Sequence, residues 1–269
     1  MTAKVRLADA FRTAREQGRA ALIAYLPAGY PTRAESIDLV RQMVRSGADI
    51  IEVGMPYSDP VMDGPVIQRA ADIALAGGTT LTDAIDVAAA AAAEGAAACV
   101  MSYWNPIERY GTARFARDLA QAGGTAVITP DLNPDEAADW VQATDAAEIE
   151  RVFLVAPSSS DARLQVVTAH TTGFVYAASM MGVTGGIADI GESARTLVSR
   201  TRQFTGTPIA VGLGVSTQAQ AADIAEFADG VIVGSAYIRA IEAASDPQSR
   251  ADAVAQLTGE LVAGTKRKA

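Results

Sequence analysis

Short apolar runs rich in β-branched residues alternate with longer amphipathic runs along almost the whole chain. The short runs predict eight strands, at Ala21–Tyr25, Asp49–Val53, Ala97–Ser102, Ala126–Ile128, Arg151–Val155, Gly173–Ala177, Pro208–Val211 and Gly230–Val233. The amphipathic runs predict helices between them, such as Ala34–Ser46, Thr112–Ala122, Asp135–Ala143, Ser193–Gln203 and Thr217–Phe227. Because strands covered by helices on both faces read as continuous apolar runs, the pattern indicates parallel βα units.

Eight βα units in about 250 residues match the usual size of a (β/α)8 barrel. An open doubly wound sheet has the same local pattern, and the strand count favours the barrel. Ahead of the first strand, apolar residues at helical spacing predict an extra N-terminal helix that presents Leu7, Ala10, Phe11 and Ala14. Since no Ser/Gly-rich linker or charge run divides the chain, we expect residues 1–269 to form one (β/α)8 TIM-barrel domain.

Composition excludes several classes of function. The formal charge of −9 and the pI of about 4.7 argue against nucleic acid or an anionic membrane as a partner. One cysteine, Cys99, and one histidine, His170, exclude multi-cysteine and two-histidine metal sites. The lysines lie only near the chain ends, at Lys4, Lys266 and Lys268, where a Schiff-base pocket is not expected. With no signal peptide and no long apolar segment, we expect a cytoplasmic protein without a metal.

Carboxylates occur within the second predicted strand and in the loop that follows it. Glu52 lies inside an apolar strand, where an unpaired charge is not tolerated in an ordinary core. Desolvation would raise its pKa towards neutrality and suit it to proton transfer; a buried structural salt bridge is the alternative. The loop that follows carries Asp59 and Asp63. Asp63 is a second catalytic candidate, and capping of the helix that starts near Pro65 is its alternative role.

Glycines follow the last three predicted strands. Gly212 and Gly214 follow the seventh strand, and Gly234 follows the eighth, which are the usual places for a phosphate in this fold. A dinucleotide fingerprint is the competing interpretation of Gly212–Gly214, but the third glycine and the acidic residue at ribose spacing are missing. After the sixth strand, the glycine loop 182–186 is suited to close over a ligand. The residues thus indicate a barrel enzyme that binds a phosphorylated ligand and works with a Glu/Asp pair.

The segment Ile51–Gln68 closely resembles the signature of the tryptophan synthase α chain family. The resemblance continues in order along nearly the whole chain, through Tyr25–Pro31, Met101–Pro106, Pro130–Leu132, Gly182–Gly185, Gly212–Ser216 and Gly234–Ala236. It implies a lyase of tryptophan biosynthesis that cleaves indole-3-glycerol phosphate to indole and glyceraldehyde 3-phosphate by retro-aldol scission. It also implies that Glu52 is the general acid–base and that Asp63 binds the indole N–H and stabilises the positive charge of the intermediate.

The same resemblance assigns the binding residues. Tyr25, Met101 and Leu213 would lie near the indole, and Tyr176 would help to position the substrate. The phosphate would be held by Gly185, Gly214, Gly234 and Ser235. Many members of the family carry an arginine after the serine that matches Ser179, whereas this chain has Met180, so that role is not carried over.

The resemblance also implies a partner, the tryptophan synthase β chain, in an α2β2 heterotetramer. Pyridoxal phosphate would belong to the β chain, so we expect no cofactor in this chain. The expected interface is formed by exposed loops at the barrel mouth that carry Pro56, Tyr57, Asp59, Trp104 and Asn105. Two other functions stay open: a phosphosugar isomerase or phosphoribosyl-anthranilate-type barrel with Glu52 as base, and a non-catalytic allosteric subunit.

Overall fold

The computed structural model describes residues 5–178, 187–212 and 214–267, with residues 187–190 described as backbone. Within these ranges, nine strand segments form one sheet in which all pairs are parallel. We count two of them as one strand, β5, because they are separated only by Phe153. The strands are β1 Ala21–Pro27, β2 Ile50–Gly54, β3 Ala97–Met101, β4 Ala126–Ile128, β5 Glu150–Val152 with Leu154–Val155, β6 Val175–Ala178, β7 Ile209–Gly212 and β8 Gly230–Val233.

The sheet closes into a barrel. β1 pairs with both β2 and β8, and the first half of β5 pairs with β4 while the second half pairs with β6. At the interruption, the Tyr176 N–H donates to the Phe153 carbonyl at 3.1 Å. The predicted (β/α)8 barrel is therefore confirmed, and the open doubly wound alternative is wrong. The prediction of an unbroken fifth strand, Arg151–Val155, is corrected by the break at Phe153.

Twelve α-helices surround the barrel within the described ranges. They are α1 Leu7–Glu16, α2 Arg33–Arg45, α3 Pro65–Ala76, α4 Leu81–Ala93, α5 Trp104–Tyr110, α6 Thr112–Gln121, α7 Ala138–Ala146, α8 Asp161–His170, α9 Ile187–Thr201, α10 Gln218–Ala225, α11 Ser235–Ala243 and α12 Pro247–Gly264. The predicted helix Asp135–Ala143 is instead a 3-10 turn, Pro134–Glu136, followed by α7. In the described part of the chain, no single helix is long and apolar enough to cross a membrane; α3 and α4 meet that test only as a pair bent by 111°.

Helix α1 closes the amino end of the barrel. The four apolar residues that predicted it, Leu7, Ala10, Phe11 and Ala14, are all buried, so the extra N-terminal helix is confirmed. The ring of Phe11 packs against that of Phe174 with a centroid separation of 5.7 Å. The α1 backbone is also bonded to the barrel, because the Leu7 N–H donates to Glu150 Oε2 at 3.2 Å. Apolar packing therefore fills this end and leaves the carboxyl end for a ligand.

Two apolar layers stabilise the barrel. One lies between the sheet and the outer helices, and the other fills the barrel interior with small and branched side chains, including Ile23, Ile50, Cys99, Ile128 and Ile232. Side chains alternate between the two layers along each strand, so each interior position is fixed by strand register. Glu52 lies opposite Tyr25 of β1 and Cys99 of β3 in this register.

Candidate active site

A cavity of about 400 Å³ opens at the carboxyl ends of the strands. It is lined by eight of the ten residues predicted for catalysis and substrate binding: Tyr25, Glu52, Asp63, Met101, Tyr176, Gly214, Gly234 and Ser235. The other two, Gly185 and Leu213, lie outside the described residues, as does Met180. The structure thus brings together residues from β1, β2, β3 and β6 and from the loops that follow β2, β7 and β8.

Glu52 is buried without the partner that a structural charge requires. Its side chain is 1% exposed, and Oε2 has no hydrogen-bond partner within the described residues. No described cation forms an ion pair with it, so the alternative of a buried salt bridge is wrong for the described part of the chain. Burial, and secondly the neighbouring charge of Asp63, raises the pKa of Glu52 to about 8. Glu52 is therefore a protonated acid at neutral pH.

Asp63 is held over the cavity by the loop between β2 and α3. Its N–H donates to the Pro60 carbonyl at 3.0 Å, and its own carbonyl accepts the Gln68 side-chain amide at 2.9 Å. Its carboxylate accepts the hydroxyl of Tyr103 at 3.3 Å. Helix α3 has Gly64 at its N-cap and no side-chain cap, so the capping role suggested for Asp63 is wrong.

The two carboxyl groups have different charge states at neutral pH. Burial raises the pKa of Asp63 to about 6, and the hydrogen bond from Tyr103 opposes this rise. Between about pH 6 and pH 8, Asp63 is therefore an anion while Glu52 keeps its proton. A pair of groups whose environments separate their pKa values in this way is suited to acid–base chemistry.

Two tyrosines form the walls beside Glu52, and glycines make room for their rings. A Cβ atom at Gly54 would overlap the hydroxyl of Tyr25, and one at Gly212 would lie 2.7 Å from the hydroxyl of Tyr176. Gly212 is thus explained by a tyrosine ring rather than by a dinucleotide. Burial raises the pKa of Tyr25 and of Tyr176 well above the ordinary value, so both stay neutral. They shape the cavity as hydroxyl-bearing rings.

The residues that follow β7 and β8 give the cavity the features of an anion site. Gly214 has φ +67°, a left-handed conformation that glycine adopts readily, and Gly234 is the N-cap of α11. Ser235 is the first residue of α11, so the free N–H groups and the dipole of that helix point towards the cavity end. Arg239, one turn further along α11, is the only basic side chain among the described lining residues.

Several lining residues escaped sequence reasoning. They are mostly apolar: Val66, Ile67, Pro130, Leu154, Ala178 and Ile232. Apolar side chains occur at such positions of barrel strands, helices and loops whether or not a ligand binds there. Their hydrophobicity therefore does not identify them as lining residues. Arg239 had a readable signal, since a residue four positions after Ser235 lies on the same face of a helix. Tyr103 was contained in a recognised motif, but its contact with Asp63 depends on the fold.

The mouth of the barrel differs from the expectation of exposed aromatic loops. Pro56 is buried, and the half-buried ring of Tyr57 stacks on Tyr103 with a centroid separation of 5.0 Å. Trp104 begins helix α5, and its half-buried ring packs edge-on against Trp140 at 5.6 Å. Asn105 also lies in α5 and is exposed, as Asp59 is. Intramolecular packing therefore explains the two aromatic rings, while Asp59 and Asn105 stay accessible.

The fold and the cavity are those of a barrel enzyme with two carboxyl groups suited to acid–base chemistry beside the N-terminus of a helix. A family model described as tryptophan synthase alpha chain matches residues 11–266. The alpha chain of Thermobifida fusca is 56% identical over 259 residues, covering 95% of this chain and 96% of the relative. That of Salinispora arenicola is 54% identical over 260 residues, covering 97% of both.

Solved structures agree with these relatives. A tryptophan synthase structure from M. tuberculosis has a chain 47% identical to this one, with a TM-score of 0.90 and coverage of 98% of this chain and 99% of that chain. The tryptophan synthase subunit alpha of Legionella pneumophila is 30% identical, with a TM-score of 0.87 and coverage of 97% and 98%. The chain belongs to the tryptophan synthase alpha chain family. It is accordingly a carbon–carbon lyase of tryptophan biosynthesis that cleaves indole-3-glycerol phosphate.

Proposed function

We propose that the cleavage occurs in the cavity described above, with Glu52 as the acid–base and Asp63 as the group that stabilises positive charge. The observation that carries this assignment is the buried, unpartnered Oε2 of Glu52 in a cavity that Asp63 also lines. A buried carboxyl oxygen without a partner costs stability, and a ligand that bonds to it in the cavity would offset that cost.

The protonation states support a balanced sequence of steps. Glu52, as a carboxylic acid, donates its proton to C3 of the indole ring, and the ring nitrogen becomes positively charged. The Asp63 carboxylate accepts a hydrogen bond from that N–H and stabilises the charge. Glu52, now ionised, takes the proton from the hydroxyl on the carbon attached to the ring. The C–C bond breaks, its electron pair returns to the indole ring, and the departing carbon becomes the aldehyde of glyceraldehyde 3-phosphate.

The two sides of the cavity correspond to the two ends of the substrate. We assign the indole to the part of the cavity lined by Tyr25 and Met101, with Tyr176 as a positioning side chain. The family resemblance adds Leu213, which lies outside the described residues. The phosphate is assigned to the N–H groups of Gly185, Gly214, Gly234 and Ser235. Arg239 adds a positive charge next to that end. A cavity of about 400 Å³ lies within the range of small-ligand sites.

A tryptophan synthase β chain is the proposed partner, in an α2β2 assembly. Related chains occur in structures described as tryptophan synthase, which supports a partner subunit. Pyridoxal phosphate is assigned to the β chain, because the lysines of this chain lie only near its ends. Among the predicted interface residues, Asp59 and Asn105 have exposed side chains that are available for that contact.

Indole release tests the proposal. The full chain, alone and with the β chain, is incubated with indole-3-glycerol phosphate, and indole and glyceraldehyde 3-phosphate are measured. The two products should form in equal amounts. We expect both products, with faster release when the β chain is present. Rearrangement of a phosphosugar without indole release would favour the isomerase alternative. Activation of the β chain without any cleavage, whichever partner is present, would favour a purely regulatory subunit.

A further inference from the structure

The hydroxyl of Tyr103 connects two consecutive residues of the catalytic loop. It accepts the backbone N–H of Met62 at 2.9 Å and donates to Oδ2 of Asp63 at 3.3 Å. The first bond orients the phenol oxygen so that its single proton points to the carboxylate. Apart from this hydroxyl, the described residues provide no side-chain hydrogen bond to the Asp63 carboxylate.

The ring that carries this hydroxyl is firmly placed. Tyr103 is 5% exposed and lies two residues after the end of β3. One face of the ring stacks on Tyr57. The Ser102 hydroxyl donates to the Tyr103 carbonyl at 2.9 Å, and Asp131 accepts the next N–H, that of Trp104, at 2.9 Å. The barrel strand thus supports the hydroxyl, whereas Asp63 lies on a loop.

We propose that Tyr103 is a positioning residue that holds the Asp63 carboxylate in the orientation needed to accept the indole N–H. The inference rests on the role proposed above for Asp63. It extends that role to a group outside the lining of the cavity, since Tyr103 acts through Asp63. A rigid hydrogen-bond donor of this kind pre-orients a catalytic group before the substrate binds.

The hydrogen bond from Tyr103 also affects the pKa of Asp63, so its loss should change the pH dependence of the reaction. The described titratable groups that face Asp63 are Glu52, Tyr25, Tyr176 and Tyr103. Burial raises the pKa of Asp63, and the bond from Tyr103 lowers it because it stabilises the charged form. Removal of the hydroxyl therefore raises the pKa further. Since Asp63 works as an anion, the acidic limb of the rate profile must then move to higher pH.

The test compares Tyr103→Phe with Tyr110→Phe in the full chain, with the β chain present. Tyr103→Phe keeps the ring and its stack but removes the hydroxyl. We expect kcat to fall roughly ten- to hundredfold, the range for a lost hydrogen bond to a charged group, with KM little changed. We also expect the acidic limb to shift to higher pH. Tyr110→Phe removes a hydroxyl that donates to Asp118 at 2.9 Å, outside the cavity lining, and should change neither quantity.

Asp63→Asn separates failure of this inference from failure of the proposed function. If Asp63→Asn has normal turnover, the role proposed for Asp63 is wrong, and the role of Tyr103 that depends on it is wrong as well. If Asp63→Asn is inactive while Tyr103→Phe keeps the normal kcat and pH profile, only the inference is overturned. A fall in kcat without any movement of the acidic limb would show a merely structural role and would also overturn it. Adding Tyr103→Phe to Asp63→Asn should cause no further loss, because the two residues act as one unit.

Discussion

Two buried glutamates at opposite ends of the barrel have different surroundings. At the amino end, Glu150 is 7% exposed, and its Oε2 accepts the N–H of Leu7 at the start of α1. Glu52, which lines the cavity at the carboxyl end, is 1% exposed, and its Oε2 has no hydrogen-bond partner among the described residues. The side chain of Glu150 therefore connects α1 to the barrel, whereas that of Glu52 lines the cavity with one oxygen unpartnered among the described residues.

The difference shows that burial alone does not identify a catalytic acid. Both side chains are buried and belong to barrel strands: Glu150 is the first residue of β5, and Glu52 is the middle residue of β2. For Glu52, burial without a hydrogen-bond partner at Oε2 is accompanied by a pKa raised to about 8. Glu52 lines the cavity next to Asp63, whereas Glu150 does not line it.

The largest expected effect follows from Glu52→Gln. Loss of the proton donor should lower lyase turnover by about 10²–10⁴-fold, with substrate binding largely retained. The matched variant Glu150→Gln should keep normal turnover, because Glu150 lies at the amino end of the barrel, where it accepts the N–H of Leu7, and does not line the cavity. Steady-state kinetics and thermal unfolding of both variants measure this. Near-normal turnover of Glu52→Gln would remove the distinction between the two glutamates.

Asp63→Asn should have the next largest effect. The amide keeps the shape but cannot stabilise a positive charge on the indole, so we expect turnover to fall by about 10²–10³-fold. Stability should stay close to that of the parent chain, because Asp63 does not cap α3. Rapid-quench measurement of indole release checks the chemical step directly. A variant that loses stability but keeps turnover would return Asp63 to a structural role.

Gly234→Val tests the part of the cavity that is assigned to the phosphate, as distinct from the two carboxyl groups. A side chain there approaches Tyr25 and Ile67 and blocks the approach of the phosphate to the helix N–H groups. We expect KM for the phosphorylated substrate to rise roughly tenfold or more, by the loss of hydrogen bonds to a charged group. Gly206→Val is the matched control, because a Cβ atom at Gly206 meets nothing within 4 Å. Equal KM values in the two variants would place the phosphate elsewhere.

Asp59→Ala should have the smallest effect on the isolated chain. The side chain is exposed at the mouth, and its contact in the described residues is with the Ser58 hydroxyl. We expect a weaker activation by the β chain, with folding and basal turnover unchanged. Asp223→Ala, at an exposed position on α10, serves as the control. If titration with the β chain gives the same activation curve for both variants, Asp59 is not part of the interface.

Most of the barrel could be read from the sequence because its strands are buried on both faces. Each of the eight predicted runs coincides with a strand, and the predicted and observed ends differ by no more than two residues. The four apolar residues of α1 were also predicted individually. The break at Phe153 escaped prediction, since an apolar run does not show where pairing is interrupted. The 3-10 turn before α7 escaped for a similar reason: Pro134 changes the backbone without changing the polarity pattern.

The site was only partly readable. Glu52 was identifiable from the local sequence alone, because a carboxylate in an apolar run is unusual. The stack of Tyr57 on Tyr103 and the packing of Trp104 on Trp140 join separate loops and helices, so no local pattern predicts them. The same holds for the bond from Tyr103 to Asp63, which spans 40 residues of sequence. Residue types could be assigned from sequence, but their partners required the fold.

The charge state of Glu52 in the ligand-free chain decides whether this residue can act as the proton donor. The side-chain carboxyl carbons can be followed by ¹³C NMR from pH 3 to pH 10, with Glu52→Gln used to assign the resonance. We predict that Glu52 titrates near pH 8 in the ligand-free chain, because its burial without a partner disfavours the anion. A titration near the ordinary value of 4.5 would contradict the account, since Glu52 would then be an anion at neutral pH and could not protonate the indole ring.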